Sequence, residues 1–458
     1  MRFPFFRLTV AAAVLASVGS HAQPADKADL EALRAQVRAL EQQLKVLSRQ
    51  LEIKEEAAVA AAPTTPKVTI NDKGFTLASA DGANSIKLRG LIQLDHRLFF
   101  GDHGSSTNQF VLRRARIITE GTFLKNYTFQ IVPEFGGSSV SIVDANFGVN
   151  LTPAAQLKFG RFKVPFGHEL LQSDSWTFFN ERSIVTNLVP NRDLGVQLSG
   201  EIADGRLSYA AGVFGGVPDA GSTNNGDFDS EKDVAGRIAA TPFKNDAGSP
   251  AQGLTLALAG TYGRQKGTAG RTGGYRTDGQ QTFFAYGSNV VSDGKTWRWS
   301  PQVDYRLGSF GLLGEYVVST VNLRPTATGP VTELQNEGFQ LAAGYVLTGE
   351  DSSYNGVVPA NNFNWSAGTW GAFELVARFA NLKIDDDAFP TFASPASNAD
   401  EATSFGLGLN WYLSKTVRFS AHYYQTDFGF NRAAPAVPTA PVLRQDEKAL
   451  ITRFQLSF

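Results

Sequence analysis

Residues 157–198 read LKFGRFKVPFGHELLQSDSWTFFNERSIVTNLVPNRDLGVQL. Strand-like runs, Leu157–Val164 and Leu194–Leu198, flank about thirty residues that follow neither the helical nor the strand period, and loops of that length inside compact domains tend to be functional. The segment is not simply polar. It carries Phe166, Leu170, Leu171, Trp176, Phe178, Phe179 and Ile184 beside Glu169, Glu181, Arg182, Arg192 and Asp193. Apolar side chains at this density need cover. The expectation is that residues 165–192 fold into the lumen of a β-barrel and narrow it.

The flanking sequence supplies the barrel. Ile86, Leu88, Gly90, Ile92, Leu94, His96, Leu98 and Phe100 alternate with Lys87, Arg89, Gln93, Asp95 and Arg97, a period of two that places the two sets on opposite faces of a strand. The pattern recurs to the last residue, as in Phe373, Leu375, Ala377 and Phe379 against Glu374 and Arg378, and in Phe454, Leu456 and Phe458. The connections alternate too. Short ones (Leu124–Asn126, Thr152–Ala155, Ala203–Gly205, Gly308–Ser309, Ser414–Lys415) are interleaved with long polar ones (Gly101–Asn108, Gly216–Glu231, Arg264–Lys295, Arg324–Thr332, Asp385–Glu401, Gly429–Glu447). Short turns at one end and long loops at the other mark a transmembrane antiparallel barrel. Counting by this alternation gives sixteen strands over residues 85–458. Parity places Phe283–Val291 inside the fifth long loop, and Gly349–Gly368 breaks the short-turn rule as an enlarged connection. A large soluble β-fold would alternate as well, but the runs reach about ten to fifteen residues where about five or six is usual. Aromatics bound the apolar rows (Tyr262, Trp297, Tyr305, Tyr316, Trp411, Tyr423), as interface girdles do.

The 458 residues carry 42 Lys+Arg against 43 Asp+Glu and no Cys. This balance disfavours nucleic-acid binding, and the missing thiols exclude thiolate catalysis, cysteine metal sites and disulfides. At the N-terminus, Arg2 and Arg7, the apolar run Leu8–Val18 and Ser20-His21-Ala22 read as a signal peptide over residues 1–22, since the run is far short of the roughly twenty residues of a helical span. Leu30, Leu33, Val37, Leu40, Leu44, Leu47 and Leu51 form a heptad seam, so residues 23–56 are expected to be a coiled-coil helix on the periplasmic side, available for envelope contacts. Residues 57–84, opening with the Pro/Ala-rich Ala57–Lys67, are expected to be a linker.

Nine short blocks in order resemble the phosphate-selective porin O and P family: FVLRRARI (Phe110–Ile117), GRFKVPFGHE (Gly160–Glu169), FFNERS (Phe178–Ser183), NRDLGVQLSG (Asn191–Gly200), SPQVDY (Ser300–Tyr305), YVLTGE (Tyr345–Glu350), GAFELVARF (Gly371–Phe379), LNWYLSKTVRF (Leu409–Phe419) and the terminal RFQLSF. The resemblance implies a sixteen-stranded outer-membrane barrel, usually a homotrimer, with the third long loop folded inward, passing small hydrophilic solutes, anions such as phosphate among them, by diffusion. It also implies an arginine ladder and central lysines, for which the candidates are Arg113, Arg114, Arg116, Arg161 and Lys163. Guanidinium forks and ammonium groups suit phosphate.

Arg113 and Arg114 cannot both point inward on a regular strand. The expectation is Arg114 and Arg116 in the lumen, with Ala115, Ile117 and Phe123 facing lipid; a bulge would admit Arg113 as well. Arg161 and Lys163 share one face with Leu157 and Phe159, so the phase there is open. The lumen is preferred for the charges, because each would cost roughly 2–4 kcal/mol on the lipid face near the midplane. The loop residues Trp176, Phe178, Phe179, Glu181, Arg182 and Arg192 are the candidates for the constriction. Carboxylates on comparable faces (Asp95, Glu120, Glu134, Asp144, Glu315, Glu374) are expected to weaken an anion field. Arg237, Arg298, Arg306, Arg378, Arg418 and Arg453 read as solvated lumen residues. No metal-ligand spacing, phosphate-binding loop or nucleophile elbow appears. No enzyme, cofactor or metal is expected. The alternative function is structural: a barrel that anchors a coiled coil to envelope partners.

Overall fold

A computed structural model describes residues 27–60, 65–100, 107–223, 226–267, 272–430 and 446–458. The expected signal peptide lies outside the described residues. The helix runs Lys27–Ala60, 34 residues, and belongs to a compact unit separate from residues 65–458. On it Val37, Leu40, Leu44, Leu47 and Leu51 are each about half exposed or more. Among the described residues of its own unit, nothing covers that regular stripe.

The second unit is built on one sheet of 18 strands. Two of these, Lys67–Asn71 and Gly74–Ala78, form a hairpin; the other sixteen, from Ser85–Phe100 to Asp446–Ser457, make the barrel wall. Neighbours are antiparallel, and the last strand pairs with the first, from Lys448↔Phe100 to Ser457↔Leu91, which closes the wall. Closure removes the sheet edges that a bilayer cannot satisfy. The strands keep the sequence's alternation. On Thr332–Val346, Phe339, Leu341 and Tyr345 are exposed on the outer face while Leu334, Asn336, Gln340 and Ala342 are buried inside. In the fifth long loop Gly274–Arg276 pairs with Thr282–Ala285 alone, so neither is a wall strand.

The linker expected over residues 57–84 is corrected. The helix continues to Ala60, and the hairpin pairs with the first wall strand, Phe75↔Leu88 to Ala78↔Ser85. Its two halves alternate (Val68/Ile70, Phe75/Leu77) around a turn completed by Gly74 at φ +104°, a signal the Pro/Ala composition masked. Phe75 packs edge-on against Phe458, ring centroids 6.2 Å apart, just below the seam of the barrel.

Much of the lumen is filled. Phe166, Leu170, Ile184, Val185, Leu188 and Val189 of the third long loop are buried in one cluster with Val317, Leu334 and Leu382 of the wall. Tyr275, Phe283 and Phe284 of the fifth long loop join it, so that loop is not simply the polar connection its composition suggested. The enlarged connection, residues 347–371, also reaches the loop. The hydroxyl of Tyr354 donates to the carbonyl of His168 (3.0 Å), and its own carbonyl accepts from Gln172 (2.7 Å).

Candidate pore and its inward loop

The third long loop leaves the wall after Lys163 and returns at Arg192, with a single helical turn at His168–Leu171 and a 3₁₀ turn at Ile184–Leu188. Almost all its backbone is inside the barrel, so its polar groups need partners, and inward-facing wall residues supply them. Gln302 donates to the carbonyl of Phe166 (2.7 Å), Arg418 to Thr177 (3.0 Å), Asn410 to Phe178 (2.9 Å), Gln455 to Ser175 (3.0 Å) and Gln93 to Asp174 (3.0 Å). Glu315 accepts from the amide of His168 (2.8 Å), and His422 from that of Asn180 (2.9 Å). Arg298, Arg378, Arg418 and Arg453 are thus not solvated lumen residues. Each is at most 2% exposed, because the inward loops press onto their strands. Arg306 is partly buried, its guanidinium 4.4 Å from the ring of Phe178 and paired with Asp304.

Arg113, Arg114 and Arg116 all enter the lumen. Gln93 pairs with Arg114 while Leu94 pairs with Leu112, which leaves Arg113 as the extra residue of a β-bulge. The bulge puts two successive arginines on one face, with Leu112 and Ile117 outside. Arg113 grips Glu181 with both arms of its fork (2.6 and 2.9 Å), and Arg453 reaches the same carboxylate at 2.9 Å. Arg114 meets Asp174 at 3.4 Å and Gln93 at 2.7 Å. Arg116 binds Asp174 and holds Glu134 at 2.6 Å. Arg182, from the loop itself, closes on Asp174 at 2.5 Å.

Asp174 therefore collects three guanidiniums, and sequence reasoning did not single it out. The available signal was the surplus of cations on the facing strand, which requires a carboxylate somewhere on the loop. Burial alone would raise its pKa, but Arg114, Arg182 and Arg116 outweigh it and hold the carboxyl well below the usual carboxylate range. Glu181 is displaced the same way: burial is outweighed by Arg113 and Arg453.

Arg161 is corrected. It lies opposite Ala145 and Leu194 in the outward row of Phe159, which stacks on the exposed Phe147, and it donates to the carbonyl of Ile142. Lys163 is inside, its ammonium 2.9 Å from the carbonyl of Gln172. Between them Phe162 is buried against Phe214. The regular alternation runs through Phe159 and Arg161 and breaks only after Phe162, where the strand ends at Lys163 and the chain turns into the loop, so Arg161 and Lys163 take different faces. Of the loop aromatics, Trp176 borders open space and rests on Gly356, where a Cβ would come within 2.3 Å of its ring. Phe178 and Phe179 are wall anchors, lying under the guanidiniums of Arg306 and Arg378 at 4.4 Å each.

Two cavities flank the loop. The one toward the short-turn end, about 660 Å³, runs between residues 171–176 of the loop and the strands from Gln109–Phe123 to Asp233–Ala240. The other, about 450 Å³, opens toward the long loops. Arg116, Asp174 and Arg192 line both and mark the narrowing; Arg192 is paired there with Asp144 (3.1 Å). The first cavity is lined by nine cations (Lys73, Lys87, Arg89, Arg116, Lys158, Lys163, Arg192, Arg237, Lys415) and three carboxylates (Asp72, Asp144, Asp174). The acidic residues expected to dilute this field are mostly elsewhere. Asp95, Glu315 and Glu374 are at most 5% exposed in the contact between loop and wall. Among the described residues, no group of three or more His, Asp or Glu could hold a metal ion.

A closed antiparallel barrel with an apolar exterior, and a lumen narrowed by its own third long loop, defines an outer-membrane channel of the porin class. The family profile described as phosphate-selective porin O and P matches residues 86–458, and the chain belongs to that family. Porin O of Pseudomonas aeruginosa is 26% identical over 390 residues, which cover 76% of this chain and 84% of that protein. Among solved structures, the outer-membrane channel DcaP of Acinetobacter baumannii superposes with a TM-score of 0.53 at 10% identity, over 82% of this chain and 98% of that one. The trimer form of OmpT from Vibrio cholerae gives 0.51 at 11%, over 82% and 100%. At such identities the structural likeness concerns the fold.

Proposed function

We propose that the chain is a passive outer-membrane channel for small hydrophilic anions, phosphate among them. The observation that carries this reading is the lining of the larger cavity, with nine cations against three carboxylates. Asp144 and Asp174 are tied up by Arg192 and by the Arg114, Arg116 and Arg182 cluster. Among the described residues, Lys158, Lys163 and Arg237 line the cavity without any ion pair, and they replace part of an anion's hydration shell as it passes. Arg113, Arg114 and Arg116 act mainly through this balance: their charges fix the loop and set the width of the narrowing. The test is reversal potential in planar bilayers under gradients of chloride, phosphate and organic anions. Anion preference that falls on replacing Lys158, Lys163 and Arg237 together by Gln supports the reading. A cation-preferring wild type, or no step conductance, overturns it.

The uncovered stripe of the Lys27–Ala60 helix favours a second, compatible role. In this reading three copies assemble, their helices form a periplasmic coiled coil, and the coil contacts envelope partners. Deleting residues 23–66 separates the roles. Unchanged conductance with lost envelope integrity assigns the tether to the helix, whereas intact trimers and an intact envelope remove it.

A further inference from the structure

At the long-loop end of the wall, three cations stand on the outer face rather than in the lumen. Strand Leu254–Lys266 alternates so that Leu256, Leu258 and Tyr262 face outward and are about half exposed, and Arg264 and Lys266 continue the same row above them. On the neighbouring strand, Trp299, Trp297 and Lys295 continue their own outward row in the same direction. The register pairs Gly260 with Trp299, Tyr262 with Trp297 and Arg264 with Lys295. Two like charges therefore lie directly opposite each other on an exposed face, an arrangement that destabilises a strand pair unless something negative lies between them.

Among the described residues, no carboxylate is paired with these cations. Lys266 is opposite Asp293, but the Asp293 carboxylate is paired with Arg324 at 2.5 Å. Asp229 accepts from the backbone amide of Lys266 (2.8 Å), not from its ammonium. Among the described residues, Arg264, Lys266 and Lys295 form no ion pair. Just below them Tyr262, Trp297, Trp299 and Tyr316 form an aromatic patch, Trp299 and Tyr316 edge-on with centroids 5.7 Å apart. Such belts mark the level at which a bilayer passes from acyl chains to headgroups. The cations thus lie at headgroup height, above an apolar outward face.

We propose that Arg264, Lys266 and Lys295 form a binding site for a phosphorylated lipid headgroup of the outer leaflet. A phosphate seated between Arg264 and Lys295 would accept from a guanidinium fork on one strand and an ammonium on the next, relieving their repulsion. The aromatic patch would take the first part of the acyl chains. The site is outside the channel and independent of what the channel passes.

The test uses the full-length protein and vesicles carrying lipid A with its phosphates present or removed. Wild type should retain phosphorylated lipid A through purification, and salt should weaken it. Each cation near an anionic surface is worth about fivefold, so Arg264→Gln, Lys266→Gln and Lys295→Gln together should lower affinity roughly a hundredfold. Heat-modifiable gel mobility checks the fold, and Arg264→Gln alone, expected to cost about fivefold, serves if the triple variant does not fold. Equal retention by wild type and triple variant overturns the site. So does equal binding of dephosphorylated lipid A, which would make the contact purely apolar. Binding of inorganic phosphate that depends on the same three residues and displaces lipid A would mark a site for the free ion instead.

Discussion

Replacing Asp174 by Asn tests the charge balance at the narrowing most directly. The carboxylate is shared by Arg114, Arg116 and Arg182 and borders both cavities. The amide keeps the size and one acceptor but removes a unit of negative charge. A monovalent ion passing at about 6 Å in water-like surroundings feels roughly 0.7 kcal/mol from that charge. The substitution favours an anion by that amount and disfavours a cation equally, so the anion-to-cation permeability ratio should rise by about 1.4 kcal/mol, or tenfold. Screening at about 0.1 M salt leaves most of this, because the Debye length of about 10 Å exceeds the distance. The assay is reversal potential under a tenfold potassium chloride gradient, with Asp174→Glu as the charge-conserving control. An unchanged reversal potential at normal conductance, or a shift toward cations, would refute the assignment of Asp174 to the narrowing.

Arg113→Met breaks the forked pair with Glu181 but leaves Arg453 on the same carboxylate. The expected loss is about 2 kcal/mol, below the roughly 3–5 kcal/mol of a fully broken buried pair, read as lower thermal stability and noisier single-channel current. Gly356→Ala meets both a backbone at φ +88° and the ring of Trp176; it should cost roughly 1–3 kcal/mol and shift tryptophan emission. On acidification, carboxyls whose folded-state pKa is depressed stabilise the protein at every pH above their unfolded value and lose that contribution only as pH falls through the folded one. Asp174 and Glu181 are both depressed, so the loop should stay fastened from pH 7 through about 4 and loosen only below it. A conductance change near pH 6 would contradict this.

The barrel was legible because alternation and turn length are local properties of the chain. The inward loop was legible for a related reason, since its apolar residues had to be covered. What resisted reading depends on partners distant in sequence. The bulge at Arg113 exists only relative to the register of Gln93 and Leu94. Asp174 is one of many acidic residues until Arg114 and Arg116 are folded opposite it. Arg378 and Arg453 occupy inward positions, as their strands predict, yet whether an inward residue meets water or protein is decided by where the loops come to rest. Arg161 was misplaced by letting it share a face with Lys163, although the strand ends at Lys163 and the chain turns inward there.

The division of the lumen has a consequence for how freely this chain can vary. On the strands from Phe310–Arg324 to Val417–Gly429, an inward residue behaves like the interior of a soluble protein: Glu374, for example, is fixed by Tyr412 (2.7 Å) and Asn410 (3.1 Å). On the strands from Tyr127–Glu134 to Leu207–Phe214, inward residues such as Gln130, Asn146 and Ser208 border open space. Substitutions on the first arc should unseat the loop; those on the second should alter only what passes. Solute range can therefore drift along one arc of the circumference while another carries the burden of folding.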